Sequence, residues 1–223
     1  MKNVFNFLKD LRANNNRDWF NNNRNRYIES KHIIDTFTSQ LIAAIADVEP
    51  EIAHLTPTDC TYRIYRDTRF SLDKTPYKTH FGIFIAPGGK KSVKAGHYIH
   101  IEPGNCLYGG GCWCPPAPIL KAIRQDIYDN VDEYLEIIDN NCFKRLFPTV
   151  GSDPLKTAPK GYPKDWEYID LIKPRDYTVI SPLSDSVFTE TNAIEQLKVY
   201  ARTLQPLNDF LNFTIGENTD AQH

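Results

Sequence analysis

Two stretches decide the fold: residues 79–85, Thr-His-Phe-Gly-Ile-Phe-Ile, and residues 96–102, Gly-His-Tyr-Ile-His-Ile-Glu. Both are rich in the β-branched and aromatic side chains that favour strands. Pro87, Gly88 and Gly89 lie between them and indicate a turn. Strands joined by such a short connection pair in antiparallel fashion, so we predict an antiparallel meander rather than a parallel βαβ sheet.

The same pattern continues in both directions along the chain. Residues 61–66 predict an earlier strand and residues 73–76 a turn after it. Downstream, residues 106–108 predict a fourth strand and residues 177–180 a last one. The glycines at 109–111 indicate a close backbone approach or a flexible strand end, because the Lys-Ser/Thr of a phosphate-binding loop is missing.

Apolar residues at helical spacing predict helices before and after these strands. The predicted helices cover residues 3–12, about 16–48 as one long helix, about 115–127 and about 130–138. A final helix begins at Asp185 or Ser186 and is kinked or restarted by Pro206. The predicted fold class is therefore α+β, a mainly antiparallel sheet flanked by helices, with long N-terminal and C-terminal helices.

We expect residues 1–223 to form a single domain, because a chain of this length with 41% hydrophobic side chains suffices for one substantial core. Residues 147–174 contain five of the fifteen prolines and no clear period, which indicates a long ordered loop or a lid. Residues 216–223 are polar, and we predict a frayed tail there.

The overall composition makes some classes of partner less expected than others. A net charge of −2 and an isoelectric point near 6.3 argue against bulk attraction to nucleic acid or to an anionic membrane. No run approaches the roughly 18 apolar residues of a membrane span, so no membrane partner is expected. Five cysteines, an odd number, indicate reduced thiols and a cytoplasmic protein.

The densest chemistry lies in residues 63–78, Arg-Ile-Tyr-Arg-Asp-Thr-Arg-Phe-Ser-Leu-Asp-Lys-Thr-Pro-Tyr-Lys. Between Cys60 and Glu102, eight Lys and Arg side chains stand against three carboxylates, a local charge of +5. Arginine binds phosphate or carboxylate through two parallel hydrogen bonds, and lysine adds a point charge. We therefore predict a local basic pocket for a phosphorylated small molecule, a nucleotide or another anion. Its predicted ligand-binding residues are Arg63, Arg66, Arg69, Lys74, Tyr77 and Lys78.

The spacing within this stretch resembles a family pattern, Arg-x-x-Arg-Asp-x-Arg-Phe-x-x-Asp/Asn-Lys-x-x-Tyr. Every fixed place is filled, by Arg63, Arg66, Asp67, Arg69, Phe70, Asp73, Lys74 and Tyr77. The chain thus resembles a largely bacterial family of uncharacterised proteins, a domain of unknown function. The resemblance extends from the region of Trp19 to the C-terminal helix, and it implies no known activity.

Three residues are candidates for catalysis: Asp67, His100 and Glu102. On a strand, Tyr98, His100 and Glu102 share one face, and histidine titrates near neutral pH. His100 and Glu102 can therefore act as proton donor and acceptor in hydrolytic or transfer chemistry, with Asp67 as an alternative base. No metal site and no cofactor is assigned, because a metal would need a third ligand, such as His80 or Asp67, which the sequence does not place.

Two other functions would use the same arginines. A nucleic-acid or protein-interaction module would place them against a phosphate backbone or an acidic partner. A purely structural network would pair Asp67 with Arg63 or Arg69. It would also bury Phe70 and Tyr77 in the core. No oligomeric state is assigned.

Overall fold

A four-stranded antiparallel sheet forms the centre of the structure, a computed structural model that describes residues 1–220. Its strands are β1 (Phe81–Ile85), β2 (Gly96–Ile101), β3 (Cys106–Cys112) and β4 (Tyr177–Leu183). They lie side by side in chain order, each antiparallel to the next. The predicted α+β fold with an antiparallel meander is confirmed, and β3 continues through all three glycines at 109–111.

Helices precede the first strand, connect β3 to β4 and follow the last strand in the sequence. They are α1 (Lys2–Ala13), α2 (Arg17–Asn22), α3 (Arg24–Ala46), α4 (Pro57–Cys60), α5 (Ala117–Asp129), α6 (Val131–Ile138), α7 (Asn141–Leu146) and α8 (Ala193–Asp220). Helix α7 was not predicted. Its start is fixed by Asn140, whose side chain accepts the backbone N–H groups of Cys142 and Phe143. Within residues 1–220, no helix is long and apolar enough to cross a membrane.

The two faces of the sheet differ in what covers them. Side chains alternate between faces along each strand, and one set, including Ile83, Ile99 and Tyr108, is fully buried. Helix α8 packs closely here, since a Cβ added to Gly110 would lie 2.3 Å from Leu204 Cδ2. The opposite set of positions is only partly covered, and it provides the floor of the groove described below.

The prediction of one continuous helix over residues 16–48 is wrong. Helix α2 ends at Asn22, α3 begins at Arg24, and Asn23 between them has φ −109° and ψ 19°. The Asn23 side chain donates to the carbonyl oxygen of Trp19 at 2.9 Å. Asparagine side chains compete in this way with the helical backbone, which explains the break.

The predicted strand at residues 61–66 is also wrong, because this segment forms isolated bridges rather than a ladder. Backbone hydrogen bonds join Lys78 N to Ile64 O at 2.7 Å and Arg66 N to Pro76 O at 2.9 Å. Proline has no N–H group, so Pro76 cannot donate the next bond and the pairing stops. The chain between these contacts, residues 66–76, is called the motif loop below.

The C-terminal helix begins later and ends later than predicted. Residues Asp185–Thr189 form a separate 3-10 helix, so α8 starts only at Ala193. The helix does not restart at Pro206 but continues through it, and the neighbouring Leu204 and Leu207 are buried. Residues 216–220 of the predicted frayed tail are helical, and residues 221–223 lie outside the described part.

The proline-rich segment at residues 147–174 contains little regular structure. Within it the chain forms a short 3-10 helix, Ile169–Ile172. Tyr162 and Trp166 pack against the core as partly buried residues, and both rings contact Tyr128 of α5. The segment is thus an ordered loop against α5, and its role as a lid stays a prediction.

Candidate functional site

Arg66 turns into the motif loop and binds several of its residues. Its guanidinium donates to a carboxylate oxygen of Asp73, to the hydroxyl of Thr75 and, at 3.4 Å, to Ser71 Oγ. Asp73 also accepts the backbone N–H of Thr75 at 2.9 Å. The Thr75 backbone and then Arg66 lower the pKa of Asp73 to about 2. The hydrogen-bonding capacity of Arg66 is therefore used largely within the loop.

Two more predicted ligand-binding cations are bound to their own loop. Arg69 Nε lies 3.0 Å from Asp67 Oδ1, and Arg69 Nη2 lies 2.7 Å from Asp67 Oδ2. Lys74 Nζ donates to the carbonyl oxygen of Thr68 at 2.9 Å. Asp67, the predicted alternative base, thus lies in the loop as the partner of Arg69, whose hydrogen bonds lower the pKa of its carboxyl.

The two aromatic residues of the motif lie in opposite environments. Tyr77 is buried, with its ring stacked on Phe20 at a centroid distance of 3.9 Å. The Asn15 side chain donates from Nδ2 to the Tyr77 carbonyl oxygen at 2.9 Å, and its Oδ1 accepts the Tyr77 backbone N–H at 3.1 Å. Phe70, in contrast, is 96% exposed. The structure therefore places Tyr77 in the core, as the structural alternative expected, but leaves Phe70 in solvent.

Arg63 and Lys78 differ from the other motif cations, because their side chains make no hydrogen bond or ion pair with a protein acceptor among the described residues. Arg63 is exposed, and Lys78 is half-buried with Nζ 5.4 Å from the centre of the Tyr62 ring. Burial, and then the charge of Arg63, lower the pKa of Lys78. The two cations therefore lie close enough to repel each other.

Lys78 lies at a groove of about 600 Å³ over the open face of the sheet. Strand residues form its floor: Gly82, Phe84, Tyr98, Leu107, Gly109, Gly110, Gly111, Thr178, Val179 and Ile180. One wall holds Tyr62, Lys78 and His80, which precede β1. The other parts of the rim hold Lys90, Ser92, Val93, Lys94, Trp113, Cys114, Pro115 and Pro116. All four strands therefore contribute to this groove.

The lining of the groove is basic and aromatic. Its lysines are Lys78, Lys90 and Lys94, and no carboxylate occurs among the described residues that line it. Lys90 donates to the carbonyl oxygen of Thr58, and Lys94 lies 3.7 Å from exposed Glu51. Among the described residues that line the groove, Lys78 alone has a half-buried ammonium group with no acceptor in the described part of the chain, which makes this end of the groove attractive to an anion.

A chain of hydrogen bonds leads from the groove along one face of β2. Tyr98 Oη lies 3.0 Å from His100 Nδ1, and His100 Nε2 lies 3.2 Å from Glu102 Oε2. Burial raises the pKa of Tyr98 to about 12, so its hydroxyl keeps its proton at neutral pH. The spacing i, i+2, i+4 on a strand brings these three side chains together, and it places the predicted His100 and Glu102 beside a residue that lines the groove.

Glu102 is held as an ionised acceptor. Burial alone would raise its pKa, but hydrogen bonds from Asn105, Thr79 and His100 outweigh it and lower the pKa to about 2. Thr79 Oγ1 donates at 2.7 Å, and Arg12 Nη2 donates at 3.1 Å. Because this carboxylate needs a donor, His100 carries its proton on Nε2, and Nδ1 accepts the hydroxyl of Tyr98.

His80 is the third residue of this cluster. Its ring lies 4.2 Å from that of His100 between centroids, tilted by 31°. Burial, and then the neighbouring His100, lower the pKa of His80 to about 4, so the imidazole is neutral at pH 7. One possible ligand atom from each of His80, His100 and Glu102 lies within 4.8 Å of the other two. These are the described side chains that could hold a metal ion.

The opposite face of β2 carries a similar chain of groups that is closed to solvent. Fully buried His97 lies 3.2 Å from Glu49 through Nε2 and 2.8 Å from the Tyr108 hydroxyl through Nδ1. With both ring nitrogens bound in the core, His97 has a structural role. The two histidines of β2 therefore have the same type of partners, but only His100 is linked to the groove.

The sequence suggested only part of this site. It identified Lys78, His100 and Glu102, but it did not single out Tyr62 or Tyr98 as lining residues. The common face of Tyr98, His100 and Glu102 was a usable signal, whereas nothing in the local sequence places Tyr62 across from β2.

Comparison with known proteins gives a family but no described activity. The model of a family described as "Conserved hypothetical protein (DUF2461)" matches residues 3–210. No curated protein and no solved structure matches the chain.

Proposed function

The chain belongs to the DUF2461 family of conserved hypothetical proteins, and we propose that it binds a phosphorylated small molecule of the nucleotide type in the groove over its sheet. The observation that carries this proposal is Lys78, a half-buried cation without a carboxylate partner, at the wall of a groove whose described lining contains no acidic side chain.

The preference for an anion follows from electrostatics. A half-buried ammonium group is costly unless a negative group binds it, and Lys78 lacks such a group within residues 1–220. Arg63 adds a second positive charge nearby, and Lys94 adds a third from the rim. The negative charge of a bound phosphate would offset the repulsion between Lys78 and Arg63.

The preference for a planar group attached to that phosphate follows from the floor and walls. Gly109 and Gly111 add no side chains to the floor, so a flat ring can lie over this part of β3, whereas the space over Gly82 is taken by the side chains of Tyr62 and Tyr98. Tyr62 and Trp113 stand at the edges, and Trp113 is 77% exposed. Aromatic side chains stack on planar bases irrespective of their sequence identity. A nucleoside phosphate would satisfy both parts of the groove.

The chain from Tyr98 to Glu102 supports hydrolytic or transfer chemistry on such a ligand. When Tyr98 Oη attacks the phosphorus of a nucleoside phosphate, its proton passes to His100 Nδ1, and ionised Glu102 stabilises the resulting imidazolium. The phosphorus–oxygen bond to the nucleoside breaks, the leaving oxygen takes the proton from His100, and water or a second acceptor then takes the phosphoryl group from Tyr98. Tyr98→Phe should therefore leave nucleotide affinity within about twofold while turnover is lost. Equal turnover by Tyr98→Phe and wild type would remove this part of the proposal.

The binding proposal is tested by isothermal titration calorimetry with nucleoside monophosphates, sugar phosphates and the matching unphosphorylated compounds. We expect binding only of phosphorylated compounds. Lys78→Met should weaken it about tenfold or more, since a hydrogen bond to a charged group contributes about 1.5–3 kcal/mol. The matched control is Lys74→Met, which removes a motif lysine that binds the Thr68 carbonyl instead.

Lys74→Met should bind as the wild type does. If both lysine variants lose affinity equally, the motif loop rather than the groove holds the phosphate, and the proposal is wrong. If no phosphorylated compound binds wild-type protein, the groove is not a phosphate site.

A second candidate is a nucleic-acid interaction module, which the tip of the motif loop favours. Phe70 and Leu72 are almost fully exposed, and the Arg69 guanidinium lies 5.8 Å from the centre of the Phe70 ring. An exposed aromatic ring next to cations is the arrangement that binds unstacked bases. Single-stranded oligonucleotides should then bind at low salt and weaken with Phe70→Ala, whereas unchanged affinity in this variant would exclude the loop as the contact.

A further inference from the structure

His80, His100 and Glu102 come together because of the antiparallel pairing of β1 and β2. The register pairs Phe81 with Ile101 and Gly82 with His100, so His80 reaches the end of β1 opposite the end of β2. Two imidazoles and one carboxylate thereby converge, with candidate ligand atoms within 4.8 Å of one another. Two histidines and one carboxylate, with other positions open, are a recurring ligand set for zinc and non-haem iron.

His80 lines the groove and makes no side-chain hydrogen bond with the residues that the structure describes. Neither of its ring nitrogens has a hydrogen-bond partner among the described residues, although the side chain is only partly exposed. Within residues 1–220, its ring contacts that of His100 and no other aromatic ring. An imidazole held against a second imidazole, with a free lone pair, is a suitable metal ligand, since metals bind the neutral form.

The distance between the ligand atoms of His100 and Glu102 is suitable for a metal ion that replaces the proton between them. His100 Nε2 and Glu102 Oε2 lie 3.2 Å apart. Two ligand atoms each about 2.0–2.1 Å from a tetrahedral zinc ion stand about 3.3 Å from each other. An ion can therefore replace the bridging proton with almost no movement of these two side chains, and His80 then closes the third position.

Supporting groups for these ligands are already in place. Thr79 and Arg12 donate to Glu102 Oε1, so the other carboxylate oxygen, Oε2, is the one that would bind the metal. Asn105 donates to Oε2. When the metal takes Nε2, the proton there moves to His100 Nδ1 and is accepted by Tyr98 Oη, 3.0 Å away. Such contacts orient metal ligands and strengthen binding.

We propose that His80, His100 and Glu102 bind one divalent transition-metal ion, with zinc as the probe, at the end of the groove. Metal binding does not require a bound nucleotide, but it puts a proton on His100 Nδ1, so the proton transfer from Tyr98 proposed above belongs to the metal-free protein. His80 lines the groove, so an oxygen atom of a groove-bound molecule could become a further ligand of the ion. Metal binding would also free the Tyr98 hydroxyl to donate into the groove, because His100 Nδ1 would no longer accept it.

The test is a zinc titration of the full chain, free of any affinity tag and of metal, by calorimetry and by chelator competition. The exposed thiols Cys114 and Cys142 are first changed to serine, so that they cannot capture zinc. We expect one equivalent to bind. His80→Gln and His100→Gln should each weaken binding about tenfold or more, and Co²⁺ should give a visible tetrahedral absorption spectrum that both variants lose.

His32→Gln is the matched control, because His32 is an exposed histidine on α3 outside the cluster. It should bind zinc and Co²⁺ as the parent does. Stoichiometric binding that survives both His80→Gln and His100→Gln would place the ion elsewhere and overturn the proposal. Failure of the parent protein to bind zinc or Co²⁺ would overturn it as well, whatever the result for nucleotides.

Discussion

At the scale of residues, the cations of residues 63–78 divide into those bound within the motif loop and those outside it. Arg66, Arg69 and Lys74 donate to acceptors inside the motif loop, and these contacts close the loop on itself. Lys78 lies between the motif loop and β1, and its side chain lines the groove. The sequence gives no reason to treat these cations differently. They differ in whether they lie within the motif loop or after it.

The titration of Asp73 tests the closed motif loop. Its pKa of about 2 lies below the ordinary value of 3.8, so its charged form is bound more strongly in the folded state. The stabilisation it supplies is present above pH 3.8 and is lost as the pH falls through about 2. The Thr75 amide resonance should therefore barely move between pH 5 and pH 3.

Arg66→Ala supplies the comparison for this titration, because Arg66 is the second cause of the shift after the Thr75 backbone. In this variant the Thr75 amide should titrate at a higher pH, closer to 3.8. A wild-type midpoint already near 3.8 would contradict the hydrogen bonds assigned to Asp73.

At the scale of elements, strand β3 depends on glycine where α8 crosses it. A Cβ at Gly110 would lie 2.3 Å from both the Gly96 carbonyl oxygen and Leu204 Cδ2. Gly110→Ala should lower the free energy of unfolding by about 1–3 kcal/mol, as overpacking does, in urea denaturation. The sequence interpretation of these glycines as a close backbone approach is borne out at this position.

Gly216→Ala is the control for the β3 variant, since the Cβ it would add to α8 meets no atom within 4 Å in the described part of the chain, apart from its chain neighbours and the backbone of its own helix. It should raise the free energy of unfolding by about 0.5–1 kcal/mol, because alanine is the better helix former. A Gly110→Ala protein as stable as the wild type would contradict the close packing of α8 on β3.

Local sequence predicted the elements that have strong periodicity and missed those that depend on single side chains. β1 and β2 follow from alternating apolar residues, and α1 follows from its apolar stripe. The break at Asn23 and the failure of residues 61–66 to form a strand depend instead on one amide side chain and on the missing N–H of Pro76. Propensity averaged over a window does not register such single contacts.

At the scale of the whole molecule, the fold leaves one face of the sheet available. Helices cover the face that carries Ile99 and Tyr108, whereas the opposite face forms the groove floor. The groove is lined by residues from Tyr62 to Ile180, so it exists only in the folded chain. Sequence could identify the chemistry of His100, Glu102 and Lys78, but not the groove that joins Lys78 to Tyr62 and Trp113.

The central claim is that the groove, and not the motif loop, is the ligand site. A ¹H–¹⁵N NMR titration of the full chain with the tightest-binding nucleoside phosphate tests it most directly. We predict that the amide resonances of Gly82, Gly109 and Gly111 shift on binding, while those of Gly151 and Gly161, outside the groove lining, stay in place. Shifts confined to residues 66–76, or none at saturating ligand, would contradict the claim.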